Sequence, residues 1–290
     1  LEYVGKHYPK FANGPYFIKI GTDSPENMLG FVGFDNTVDQ GGLVPNFLHT
    51  FAPHAEDWQQ GNPTFGSNPE LSKNIIGALN YLSNSGINSI YFLPMNLGGD
   101  GQDTYPFVDA NIANNKNYDV SKLNQWNIVL QHAQKKGIAL NVVLSETEDQ
   151  NTDWLGGISS LTIERKLYLR ELIARFGYLP AIQWNIGEES KFPQSTTEAI
   201  ADYLTALDWQ NHQITYHTPK DGIGVYNWAY GNPKFDATSV QYTFLEGIKN
   251  SEFVEILRAN SAQANRPWIV NMDENFGGLV HNPGHYRLSR

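Results

Sequence analysis

The apolar run Ala181-Ile182-Gln183-Trp184-Asn185-Ile186-Gly187 stops abruptly at two carboxylates, Glu188 and Glu189, and the run from Trp268 to Met272 stops in the same way at Asp273 and Glu274. A strand that is apolar along its whole length is buried on both faces, which marks a parallel sheet. Acids that follow such a strand directly must leave at its carboxyl end, and in a parallel α/β barrel all those ends open onto one cleft. Two carboxyl groups on one cleft are the minimal equipment for hydrolysing a glycosidic bond, one as proton donor and one as nucleophile or base.

Strand and helix patterns alternate through the rest of the chain with mostly short connections, as βαβ units require. Strands are predicted at residues 17–21, 89–95, 138–144, 181–187, 214–217, 238–242 and 268–274. Helices are predicted at residues 72–85, stopped by Gly86, and at 119–136, with Asp119 or Ser121 as cap and Gly137 beyond its end. Others follow at residues 162–176, 195–207 and around 253–257. In the helix at 162–176, Arg165, Lys166, Arg170, Glu171 and Arg175 are expected on a solvated, ion-paired face. The 290 residues read as a single (β/α)8 barrel of TIM type, an α/β fold in which the eighth strand is missing. An excerpt of a longer precursor, or an adjoining chain or domain that completes the barrel, accounts for the count of seven.

Bulk chemistry excludes several functions. A net charge of −10 would repel nucleic acid and anionic membranes. No apolar run approaches the roughly 18 residues of a membrane span. Cysteine is absent, which removes disulfides, thiolate zinc sites and thiol nucleophiles together. Many of the 7 Trp and 15 Tyr lie in loop-like sequence, where aromatic faces can stack on sugar rings or cap the barrel core. The long insertion from Asp23 to about Pro69, with His54, Asp57 and Trp58, is expected to wall the cleft.

At the strand ends the candidate groups are Asn96 and Asp103 after the second strand, Glu146 after the third, His217 after the fifth, and Gln241 and Tyr242 after the sixth. With Trp58 and Trp184 these are expected to bind a carbohydrate. Glu188, Glu189 and Glu274 are the candidate catalytic acids. The carbonyl- and acid-rich loop from Asn96 to Asp103 lacks the full spacing of a twelve-residue calcium loop. No metal and no cofactor is assigned. Two other classes compete: a non-catalytic carbohydrate-binding barrel, and a metal-dependent hydrolase or lyase using Asp100, Asp103, Glu146, His217 and Glu274. No His-X-His or His-Glu-X-X-His spacing supports the latter.

The segment from Trp184 to Glu189, with the helix sequence from Glu164 to Gly177 and the opening stretch from Tyr16 to Asn27, resembles a group of bacterial glycoside hydrolases with an apiosidase-like (β/α)8 barrel. Residues 74–82 and 98–103 add to the resemblance, which covers essentially the whole chain. It implies a secreted, periplasmic or cell-surface enzyme that degrades polysaccharides, often with a β-sandwich domain before the barrel. In the broader superfamily of retaining barrel hydrolases the acid/base ends strand four, commonly as Asn-Glu, and a nucleophilic Glu ends strand seven. The resemblance therefore puts Glu189 in the acid/base place, Glu188 where Asn is usual, and Glu274 in the nucleophile place.

Overall fold

The computed structural model of the chain describes residues 1–22, 25–41, 48–99, 101–146, 148–217, 223–241 and 250–274, without the side chains of residues 149, 223, 273 and 274. Seven parallel strands run in chain order through one sheet: β1 (Gly21–Thr22), β2 (Ser89–Phe92), β3 (Ala139–Val143), β4 (Ile182–Asn185), β5 (Gln213–His217), β6 (Ala237–Gln241) and β7 (Ile269–Glu274). The helices α1 (Pro69–Asn84), α2 (Val120–Lys135), α3 (Asp149–Trp154), α4 (Ile163–Phe176), α5 (Gln194–Leu207) and α6 (Asn250–Gln263) occupy the connections. None is long and apolar enough to cross a membrane among the described residues.

Local chemistry explains the helix ends. Asn68, Asp119 and Thr162 each accept a backbone N–H of the first turn of α1, α2 and α4 respectively. Gly86 and Gly137 follow α1 and α2 with φ of +83° and +79°, a conformation that costs glycine little. The short helix α3, which periodicity does not announce, begins within the acid-rich stretch after β3.

Alternation along the strands separates two environments. Ile182, Trp184 and Ile214 face the helices and join the main core with Leu140, Val142, Leu169 and Leu204. The other face lines the barrel interior, where Gln183 Nε2 donates to Gln213 Oε1 at 3.1 Å and Asn271 Nδ2 donates to Gln183 Oε1 at 2.9 Å. Asn185 Nδ2 donates to Ser239 Oγ one layer higher, at 3.3 Å. Tyr91, Leu93 and Val143 form a separate small apolar plug. Amide side chains bonded to each other can fill a buried layer because each donor meets an acceptor.

The first strand is shorter than the sequence predicts. Phe17 N–H bonds Pro9 C=O, and Ile18 C=O and Ile20 N–H meet the Asn88 side chain just before β2, so only Gly21 and Thr22 enter the ladder with β2. β1 and β7 are the two edges of the sheet, and among the described residues no strand joins them. A cavity of about 390 Å³ opens at the N-terminal end of the strands along this seam, lined by Lys19, Ser89, Asn141, Gln183, Arg258 and Asn271 among others.

The insertion before α1 also departs from expectation. Phe31, Phe34, Phe51 and Phe65 pack as an aromatic group, with Phe34 edge-on to Trp126 of α2. Its short 3-10 helix, Ala52–Asp57, lies against α1, where Gly77 has no room for a Cβ beside the His54 carbonyl. Much of the segment thus covers helices on the outside of the barrel.

Candidate active site

β4 ends in a tight turn that sends its two acids in different directions. Glu188 N–H bonds Ser145 C=O on the β3 side at 2.8 Å, and Ser190 N–H bonds His217 C=O on the β5 side at 3.0 Å. Between these anchors Glu189 takes φ of +41°, a left-handed conformation that a side chain disfavours. Glu189 stands half-buried, while Glu188 is 8% exposed. Backbone strain of this kind persists where neighbouring bonds hold it in place.

The end of β7 is also irregular. Val240 pairs with Met272 and Gln241 with Glu274, which leaves Asp273 as an extra residue in β7. A bulge at a strand end re-aims the residues that follow it, and here it sets the Glu274 backbone opposite Gln241 at the carboxyl end of the sheet. The Glu274 side chain lies outside the described structure, as does the whole of Tyr242.

Glu188 turns toward two other acids. Carboxylate oxygens of Glu188, Glu146 and Glu26 lie within 4.8 Å of one another, with Glu146 only 5% exposed. Acids this close repel one another unless a proton, a cation or hydrogen-bond donors offset their charge. Oxygen-only donors suit a hard cation, although the trio is not the metal set expected from sequence. Of that set, Asp103 is turned elsewhere and Asp100 lies outside the described residues. Glu26 went unnoticed as a candidate because it follows a two-residue strand; its signal is the same as for the other acids, a carboxylate just beyond a strand end. Gly99 lies against the trio, since a Cβ there would overlap the Glu146 carboxylate.

His217 is fully buried at the end of β5, with its Nδ1 3.5 Å from the Tyr91 hydroxyl, and Gln241 ends β6 at 6% exposure. Both hold the strand-end positions expected of them. Four other candidates are turned to other uses. Trp184 is a correction: its indole points away from the barrel interior, is fully buried and donates Nε1–H to Asp208 Oδ2 at 2.9 Å. Period-two alternation sends it outward, because Gln183 and Asn185 take the inward face. Trp58 is likewise displaced from any cleft, with its Nε1–H on Pro63 C=O at 3.2 Å and the Lys73 ammonium 4.7 Å over its ring.

Asn96 and Asp103, each 1% exposed, are spent on one another. Asn96 Nδ2 donates to Asp103 Oδ1 at 3.0 Å, and Asn96 Oδ1 accepts the backbone N–H groups of Asp103 and Thr104. Asn27 Nδ2 donates to Asp103 Oδ2 at 2.6 Å, and Asn27 Oδ1 in turn meets His49 Nε2, also at 2.6 Å. Burial raises the Asp103 carboxyl to about 6 against the pull of these bonds. The network braces the loop after β2 against the segment after β1, and leaves neither side chain for a sugar. Arg165, expected on a solvated face, is 1% exposed, with its guanidinium 4.6 Å from the Phe192 ring centre beyond the β4 turn.

No family model matches the chain, and no curated protein matches it. Among solved structures it is similar to a glycoside hydrolase family 5 protein from Bacteroides vulgatus, with TM-score 0.57 and 18% identity over 93% of this chain and 51% of that one. A structure described as a glycoside hydrolase aligns with TM-score 0.59 and 16% identity, over 96% of this chain and 56% of that one. The catalytic domain of a mannanase from Streptomyces sp. SirexAA-E aligns with TM-score 0.55 and 12% identity, over 96% of this chain and 72% of that one. The chain thus spans little more than half the length of the first two. These likenesses establish the fold as a TIM-type barrel, with seven strands among the described residues.

Proposed function

We propose that the chain is a glycoside hydrolase of the apiosidase-like kind, acting on a plant or algal polysaccharide or oligosaccharide by retaining double displacement. The carrying observation is the pair of backbone irregularities at the ends of β4 and β7, each at an acid: positive φ at Glu189 and the bulge that sets Glu274 opposite Gln241. Regular strands need neither, and positioned acids at the barrel mouth do.

In this mechanism Glu189 protonates the departing glycosidic oxygen while the Glu274 carboxylate attacks the anomeric carbon. Water then hydrolyses the glycosyl-enzyme, with Glu189 as base. Glu188 serves as a brace with Glu146 and Glu26 and not as the sugar-hydroxyl partner that an Asn would be, since a carboxylate cannot donate a hydrogen bond unless protonated. His217 and Gln241 flank the cleft. The similarity to family 5 glycoside hydrolases and a mannanase supports the reaction class. A secreted, periplasmic or cell-surface location suits a polymeric substrate.

The test is a screen of neutral plant and algal polysaccharides and their oligosaccharides for released reducing ends, with NMR of the first product anomer. Retention of configuration, and loss of turnover in Glu274→Gln, are expected. Inversion would exclude the double displacement. Binding without any cleavage would leave a carbohydrate-binding barrel.

A further inference from the structure

Arg165, in the first turn of α4, is a buried cation with no acid to meet it. It is 1% exposed, and among the described residues it forms no ion pair, whereas Glu164 beside it pairs with Lys116 at 2.9 Å. Of the five N–H donors of a guanidinium, one on Nη2 reaches Gly157 C=O at 3.2 Å, while the buried Nε has no partner. The Phe192 ring lies 4.6 Å from the guanidinium carbon. An aromatic face attracts a cation but does not neutralise it. Burial draws the group down to about 10, so it still carries its charge at neutral pH. A buried ion in this state is unfavourable until an opposite charge joins it.

The neighbouring hydroxyls add donors and no negative charge. Tyr168 follows three residues later on the same face of the helix, fully buried, and its hydroxyl has no partner. The guanidinium is near enough to pull that hydroxyl down against the rise that burial causes. Tyr118, before α2, acts on the same hydroxyl, and its own buried hydroxyl has no partner either. Glu171 acts on Tyr118 but is paired with Arg175 at 3.0 Å. A guanidinium edge and two hydroxyls without partners call for an acceptor. Water satisfies the hydroxyls but not the charge, so the acceptor is an anion. It is also small, because a guanidinium 1% exposed admits nothing bulky beside it.

We propose that Arg165 and Tyr168, with Tyr118 at the edge, hold a small monovalent inorganic anion of the chloride kind in the wall of the barrel. The Phe192 ring lies between the guanidinium and the β4 turn, its Cε2 3.5 Å from where a Cβ on Gly187 would stand. An anion here therefore ties α4 to the strand end that carries Glu188 and Glu189. The site is independent of the hydrolytic reading, and its test uses no turnover.

The test is thermal unfolding in sodium chloride and in sodium gluconate at matched ionic strength, for the native chain, Tyr168→Phe and Arg165→Gln. Chloride should raise the native melting temperature by about 3 °C or more at saturation, and gluconate, too large to enter, should not. Tyr168→Phe keeps the ring and its packing, and should raise the chloride concentration of half effect roughly tenfold, as the loss of one hydrogen bond to a charge implies. Arg165→Gln should abolish the effect; if it does not fold, Tyr168→Phe decides alone, since a ring that only packs predicts no change in chloride dependence. Native crystals soaked in bromide should show anomalous scattering beside the guanidinium. Equal melting in the two salts overturns the site, and so does a chloride effect that Tyr168→Phe leaves unaltered. Bromide bound only at exposed residues is an adventitious ion only, and overturns it too.

Discussion

Trp184 and Asp208 are joined behind the barrel wall, the indole N–H of the strand donating to the carboxylate of the following turn at 2.9 Å. Through this bond and those of His212, the strand that carries Glu188 and Glu189 is tied to the start of β5. Burial pushes the Asp208 carboxyl up, yet hydrogen bonds from His212 and Trp184 and the charge of His212 outweigh it and hold the group below its ordinary value.

Asp208→Asn should therefore destabilise the fold by about 3 kcal/mol at neutral pH, the cost of breaking a buried hydrogen-bonded pair. Because the folded carboxyl is depressed, its contribution is present above the unfolded value of 3.8 and is lost as pH falls through the lower folded one. Urea midpoints measured at neutral pH should differ between the two proteins, and the gap should close in strong acid. A gap independent of pH would mean that the carboxylate charge is not what matters.

Glu189→Gly should raise stability by about 1 kcal/mol while abolishing turnover, because glycine adopts the left-handed conformation without the penalty a side chain carries. Glu189→Gln keeps the penalty and should lose turnover without gaining stability. Thermal melts of the two variants beside the native chain separate strain from chemistry; equal melting temperatures for both would mean that the turn stores no strain.

Gly99→Ala should push the Glu146 carboxylate out of its place in the acid trio. A displacement of about 1 Å near reacting groups can cost on the order of a hundredfold in rate, so kcat/KM should fall by roughly tenfold or more while the circular dichroism spectrum stays native. Unchanged kinetics would show that the trio has no hold on the catalytic turn.

Acid should weaken the fold through two buried histidines. Burial lowers His49 to about 4, and burial with the charges of Lys136 and Lys135 lowers His132 to about 4. Both are neutral when folded, so stability is full above the unfolded value of 6.5 and declines as pH drops from there toward 4, where the unfolded chain binds protons that the folded one refuses. His132→Gln, whose amide can still donate to Asn80, should flatten this decline in denaturation series run between pH 7 and about 4. An unchanged slope would place the acid sensitivity elsewhere.

Sequence pattern located β2 to β7 and the helices α1, α2, α4, α5 and the middle of α6 closely, because buried parallel strands and amphipathic helices leave distinct periods, while the short α3 leaves none. It failed at β1, where the N-terminal segment and the Asn88 side chain take the hydrogen bonds that a longer strand would need. The strand ends predicted for Glu146, Glu188, Glu189, His217 and Gln241 are where the structure has them, at or just beyond the carboxyl ends of β3 to β6. Loop residues were the weak point: Trp58, Asn96 and Asp103 have the right chemistry for sugar, but their partners are distant in sequence, and those partners decide which way each side chain turns.

By itself, the sequence determined the parallel α/β class, the seven strands found among the described residues and the acids at the strand ends, since all three follow from local periodicity and from where apolar runs stop. Only the tertiary structure decided that Glu26 and Glu146 gather round Glu188, that Trp184 belongs to the wall and that Arg165 is buried. Those outcomes depend on hydrogen bonds and packing between residues far apart in the chain, such as Ser145 with Glu188 and Trp184 with Asp208, which no local period encodes.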